Sequence, residues 1–223
     1  MTSRSTRSTA VDAVVSAIVE AIKVGRYVPG QRLVEADLTE ELGVSRGPLR
    51  EAFGRLAAEG LLEIEPYRGA LVRRMTRDDL RDLYQVREAV EGQAAALAAA
   101  RIDEGGNRAR LTRALAEMSE QHGGLDIPGY MDISEHFHSL IVELSGNELL
   151  ARVVAQLQVQ AFRLFYRSLA DATAREKSVT DHEAVAAAVL AGDPSRAERA
   201  MRRHVRHTAQ AALAVWPAAH HPA

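Results

Sequence analysis

Two arginines four residues apart, Arg46 and Arg50, and three histidines, His138, His182 and His204, are the side chains whose type and spacing point to specific chemistry. Residues at i and i+4 share a helix face, so Arg46 and Arg50 would present two guanidinium forks side by side. Such forks bond bidentately to guanine edges and to phosphates. His182 sits at the centre of an apolar face formed by Val179, Val185, Ala186 and Val189. His204 shares a face with Ala197, Ala200, Met201, Thr208 and Ala211, and His138 edges the stripe of Phe137, Leu140, Ile141 and Leu144. Three inward imidazoles on three helices can converge, and neutral imidazole is a common ligand for zinc and similar divalent ions. Taken singly, each is more often a satisfied core residue. Of the remaining five, His136 points ~160° from His138 on helix geometry, His122 adjoins a glycine turn, and His220 and His221 end the chain. These four are read as solvated, while His207, ~60° from the His204 face, stays ambiguous. Arg87 falls amid Leu80, Leu83, Tyr84, Val90 and Ala94, where a charge needs a partner. Either it pairs with Glu91 one turn on, or it grips the carboxylate of a small ligand bidentately.

The elements that position these residues are helices. The 223 residues are 47% hydrophobic and only 4% aromatic, with frequent alanine runs, a balance that favours helix over strand. There is no cysteine, which excludes disulfides, thiolate metal sites and thiol nucleophiles. No apolar run approaches the ~20 residues of a membrane span, and the start MTSRSTRST lacks a signal-peptide core. No membrane partner and a cytoplasmic location are the expectation. Residues 1–9 read as a flexible leader, 10–75 as a small N-terminal domain, 76–215 as an all-helical domain and 216–223 as a tail. In the larger domain, turn signals such as Gly105-Gly106, Gly123-Gly124, Ser145-Gly146-Asn147 and Gly192-Asp193-Pro194 separate six helices. They fall near 77–101, 104–121, 127–144, 147–169, 174–191 and 194–214, the first capped by Thr76.

The small domain has the order helix, turn, short helix, turn, helix, two strands. A first helix over 10–24 carries Val11, Val14, Val15, Ile18 and Ile22 on one face. EADLTEEL is a short second helix, and a third runs from Ser45 to about Glu59 with Leu49, Phe53, Leu56 and Ala57 inward. Ser45 suits the N-cap by offering its hydroxyl to free N–H groups, and Pro48 fits the first turn. This is a helix–turn–helix, and its last helix places Arg46 and Arg50 where a recognition helix meets base edges. LLEI and ALV then flank Pro66-Tyr67-Arg68-Gly69 as a two-stranded wing. Residues 1–72 hold nine Lys/Arg and ten Asp/Glu, a net of −1, but positions 45–55 hold three arginines and one acid. Attraction to a polyanion would be local rather than a property of bulk charge.

The stretch PGQRLVEADLTEELGVSRGPLREAFGRLAAEGLLEI, followed by RGALV, closely resembles the winged helix–turn–helix of GntR-family transcriptional regulators. The resemblance implies DNA contacts from Ser45, Arg46, Arg50, Arg68 and Gly69. Ala36 stands where some members carry a basic residue, which removes one phosphate contact. The segments LYQVREAVEG, FHSLIVELSGN and DHEAVAAAVLAGDPSRAERAMRRHV resemble the FCD effector domain of the FadR subfamily. That family commonly holds a metal through an aspartate or asparagine and three histidines, which map onto His138, His182 and His204. The carboxylate or amide position falls on Ser134, and serine is a poor ligand for a divalent ion. Asp132, ~120° from His138, does not replace it. Ser134 or a water completes the shell, or the ligand supplies an oxygen, or no metal binds. The resemblance also puts Arg87 near the site as an anchor for an organic acid.

The fold class expected is therefore mainly α: an N-terminal winged helix–turn–helix and a C-terminal bundle of about six helices. The function expected is a ligand-responsive regulator, most simply a repressor, acting as a homodimer on a pseudo-palindromic double-stranded operator. Its effector would be a small carboxylate, with a divalent metal such as zinc as cofactor. Two alternatives stand beside it. One is a metal-free bundle that only dimerises; the other is a three-histidine metallo-hydrolase, with Glu135 the nearest acid to act as base.

Overall fold

In a computed structural model, which describes residues 3–121, 126–157 and 172–216, the chain falls into two units that divide between Thr76 and Arg77. In the first, α1 (Ser3–Lys23) buries Val11, Val14, Val15, Ile18 and Ile22 and packs on α3. It starts earlier than the apolar periodicity indicates, because no glycine or proline precedes Gly25 to stop it. α2 (Glu35–Leu42) ends at Gly43, whose φ of 63° supplies the left-handed residue that terminates many helices. α3 (Arg46–Ala58) buries Leu49, Ala52, Phe53 and Leu56. Ser45 does occupy its N-cap, in extended geometry, but its side chain makes no capping bond. That corrects the reading of its hydroxyl as the cap; the residue is exposed, which leaves the first N–H groups of the helix open to solvent.

Three strands, β1 (Arg32–Leu33), β2 (Leu62–Glu65) and β3 (Gly69–Val72), form an antiparallel sheet in the order β1-β3-β2. The pairing of Glu65 with Gly69 leaves Pro66, Tyr67 and Arg68 as the wing's tip. β1 is absent from the sequence reading, since two residues carry no alternation to detect. Gly69 is required where it stands: at φ 90°, a Cβ there would lie 2.3 Å from the Leu33 carbonyl oxygen.

The second unit is helical. α4 (Arg77–Ala100) packs most broadly on α9 (Pro194–Ala214), and α9 also packs on α8 (Ala172–Leu190). α5 (Asn107–Gln121) begins three residues later than expected because Gly105 and Gly106 adopt positive φ. α6 (Ile127–Leu144) and α9 have aspartate N-caps, Asp126 and Asp193, each accepting a backbone N–H at 2.9 Å. Residues 148–157 form α7; its expected continuation to 169, the Gly123-Gly124 turn, His122, His220 and His221 lie outside the described residues. The core gathers Leu80, Tyr84, Phe137, Ile141, Val189 and Met201 from four helices. At Gly92 a Cβ would sit 2.8 Å from Arg202 Cγ, so the bare backbone lets α4 and α9 close together. Among the described residues no helix is long and apolar enough to cross a membrane.

Candidate functional site

His138 on α6, His182 on α8 and His204 on α9 are all buried and meet at one point. Nε2 of His138 lies 3.1 Å from Nε2 of His204 and 3.3 Å from Nε2 of His182. Each of these helices turns an apolar stripe to the core, and each histidine replaces one apolar residue in it. Helix packing, rather than any local motif, therefore brings the three rings together.

Glu91 on α4 fixes the protonation pattern. Its Oε2 lies 2.6 Å from His138 Nδ1, and its Oε1 accepts from Arg87 Nε at 2.7 Å. Burial alone would raise the Glu91 carboxyl, but the charges of Arg87 and His138 outweigh it and hold the group well below the usual carboxylate range. An ionised carboxylate only accepts, so His138 donates from Nδ1 and turns Nε2 inward. Two further imidazole nitrogens approach that one atom. His182 Nδ1 and His204 Nδ1 make no hydrogen bond among the described residues. Burial, then the neighbouring imidazoles, keep His182 far below its ordinary value. Burial pushes His204 down to about 4, with Asp181 partly opposing it. Three converging imidazole nitrogens suit one shared cation, and the donor set fits a divalent ion of the zinc kind.

The other expected residues are placed as follows. Ser134 is buried one turn before His138 on α6. Arg87 is buried and forms the ion pair with Glu91, and its guanidinium carbon stands 5.1 Å from the centre of the Tyr84 ring. Its terminal nitrogens make no hydrogen bond to a described residue. His136 is exposed. His207, half-buried, stays outside the cluster and pairs through Nδ1 with Asp181 Oδ2 at 2.6 Å. Sequence reasoning missed two acids. Glu91 was seen as a partner for Arg87 but not for His138, 47 residues away. Asp181 carries no role in the sequence reading, although it is buried next to His182 in the chain and its Oδ2 lies 3.9 Å from His204 Nδ1. A carboxylate next to an inward histidine is the only sequence signal for it.

In the first unit, Arg46, Arg50 and Arg68 are exposed around a concave surface of about 870 Å³, which Glu35, Ile64 and Gly69 also line. Ser45, exposed at the start of α3, leaves its hydroxyl uncommitted to the helix. Arg50 Nε donates to both Glu35 oxygens, at 2.8 and 3.0 Å. That grip takes the inner edge of the guanidinium and leaves its fork directed outward. Arg32 pairs with Glu65 and also donates to the Arg68 carbonyl at 3.2 Å, bracing the wing. Tyr67, fully exposed at the tip, adopts φ 64°.

Residues 10–72 match the family of bacterial regulatory proteins, gntR family, and residues 82–207 match the FCD domain. The chain is 32% identical over 203 residues to the "Probable D-xylose utilization operon transcriptional repressor" of Paenarthrobacter nicotinovorans, covering 91% of this chain and 88% of that one. It is 27% identical over 182 residues to the HTH-type transcriptional repressor RspR of Escherichia coli K12, covering 82% and 79%. A solved structure of a GntR transcriptional regulator from Rhodococcus sp. RHA1 superposes with a TM-score of 0.76 at 25% identity, covering 93% and 99%. These families and relatives are transcriptional regulators and not enzymes, which removes the hydrolase alternative. The chain belongs to the gntR family of bacterial transcriptional regulators, joining a gntR-type DNA-binding domain to an FCD domain.

Proposed function

We propose that this regulator is a homodimeric repressor whose FCD domain senses a small organic acid at the histidine cluster. Two copies of α3 would read half-sites of a pseudo-palindromic operator, with Arg46 and Arg50 at base edges, Ser45 at phosphate and Arg68 and Gly69 of the wing beside them. The observation that carries the sensing reading is the convergence of three Nε2 atoms, with Glu91 linking His138 to Arg87. His138, His182 and His204 would hold a divalent ion, with Ser134 nearby. When bound, such an ion supplies a Lewis-acidic anchor for a carboxylate oxygen. Arg87 draws an anion toward the cluster, and Glu91 holds both Arg87 and His138 in place. The names of the two repressor relatives support the sign, and the fold of the first unit supports a cytoplasmic, DNA-bound protein. The buried Arg87–Glu91 pair also suits a bundle that only dimerises, but that reading leaves the converging imidazole nitrogens unexplained.

The test is operator binding by the full chain, loaded with zinc, across a panel of two- to six-carbon carboxylates. Effector and DNA affinities are reciprocally coupled, by 1–3 kcal/mol in typical cases. At least one acid is expected to weaken operator binding about tenfold in the native chain and not in His182→Ala. If no acid shifts binding while Tm is also unchanged, the bundle serves dimerisation alone.

A further inference from the structure

On α6, Tyr130, Ser134 and His138 follow one another at i, i+4 and i+8, all buried. On α8, Ser178 and His182 stand in the same i, i+4 relation, also buried. His138 meets His182 through Nε2, and Ser178 lies beside the Tyr130 phenol without closing a hydrogen bond to it. Earlier residues thus face earlier residues, so α6 and α8 run in the same direction and share two polar levels. The helices scarcely approach at backbone level, and side chains alone span the gap. By helix rise the two levels are separated by roughly 6 Å along α8 and 12 Å along α6.

The level away from the histidines is incomplete. The Tyr130 hydroxyl and Ser178 Oγ are 3% and 5% exposed by residue, and neither has a hydrogen-bond partner among the described residues. Buried hydroxyls without partners are rare and destabilising, and these two have hydrogen-bonding capacity left for a bound ligand. Burial pushes the Tyr130 phenol up to about 12, with Ser178 and the charge of Arg175 acting downward and that of Asp181 upward. A positive and a negative residue therefore oppose one another at this level, which suits a neutral polar group better than a second carboxylate.

We propose that Tyr130 and Ser178 form a subsite for a hydroxyl of the effector, so that the ligand is a hydroxylated carboxylic acid. The inference rests on the acid-sensing reading above and extends it from the anchored end of the ligand to its far end. A hydroxyl can accept from the phenol while donating to Ser178 Oγ, so one group satisfies both residues. A site built this way discriminates against the analogue that lacks the hydroxyl, because its own buried polar groups are then left unpaired.

The experiment is calorimetric titration of the full, zinc-loaded chain with 4-hydroxybutanoate, 5-hydroxypentanoate and 6-hydroxyhexanoate, each against the plain acid of equal length. At the length that spans the two levels, the hydroxy acid is expected to bind about tenfold more tightly. Tyr130→Phe and Ser178→Ala should each erase that advantage. The subsite is overturned if the hydroxyl adds nothing at any length, if its advantage survives both substitutions, or if butanedioate outbinds every hydroxy acid. If plain acids also fail to bind, the acid-sensing reading falls first and takes the subsite with it.

Discussion

Arg50 carries the DNA-reading account at the scale of single residues. Its Nε is held by both oxygens of Glu35, so in the proposed complex the guanidinium would enter the groove oriented rather than searching among rotamers. Arg50→Ala is expected to weaken operator binding about tenfold or more without lowering Tm, as judged by fluorescence anisotropy and a thermal melt. Glu35→Gln should act differently: it loosens Arg50 and removes a negative charge from the concave surface around it. Operator affinity should fall while affinity for unrelated DNA rises, at one fixed salt concentration. Parallel changes on both DNAs would mean that Glu35 does not orient Arg50. The arginine spacing and the inward histidines were legible from sequence because 3.6-residue periodicity reports which residues share a face. The roles of Glu91 toward His138 and of Asp181 toward His207 were not, since both depend on how separate helices pack.

For single elements, the wing shows how little chain can fix a surface. β1 is two residues long, yet it pairs with β3 and brings Arg32 to the Arg68 carbonyl. The sequence showed the two longer strands and the turn between them, but a two-residue edge strand has no pattern of its own. Ser45 is the opposite case, where the residue type suggested a cap and the geometry leaves its hydroxyl outside the helix. Gly69 is the wing's least replaceable position, with positive φ and the Leu33 carbonyl in the space of a side chain. Gly69→Ala should lower stability by about 1–3 kcal/mol and loosen the wing, measured by urea denaturation and by hydrogen exchange at Leu33 and Leu71. An unaltered midpoint would show that the backbone there relaxes freely. The later start of α5 has a related cause: Gly105 and Gly106 at positive φ delay the helix, a detail that the glycine pair signalled only as a break.

Over the whole chain, the histidine cluster ties stability to pH. His204 titrates near 4 in the folded chain, against 6.5 in an open one. Between those values the unfolded chain binds a proton that the folded chain does not, so stability falls as pH drops through that window and is complete above it. For the metal-free protein the loss from His204 is on the order of 3 kcal/mol, readable as a lower urea midpoint at pH 4.5 than at pH 7.5. Equal midpoints would mean that the imidazoles are not held neutral by the fold. The assignment of two domain families was legible from short segments with distinctive residues. What a bundle of this kind encloses was less so, because Tyr130 and Ser178 look like ordinary core-edge residues until α6 and α8 are set side by side.

The most direct test of the central claim is native mass spectrometry of the untagged chain, purified without chelator. The account predicts a dimer carrying one divalent metal ion per chain, and the loss of that ion in His204→Ala with the dimer intact. Metal-free chains that stay metal-free after incubation with zinc, or a His204→Ala protein that retains its metal, would contradict it.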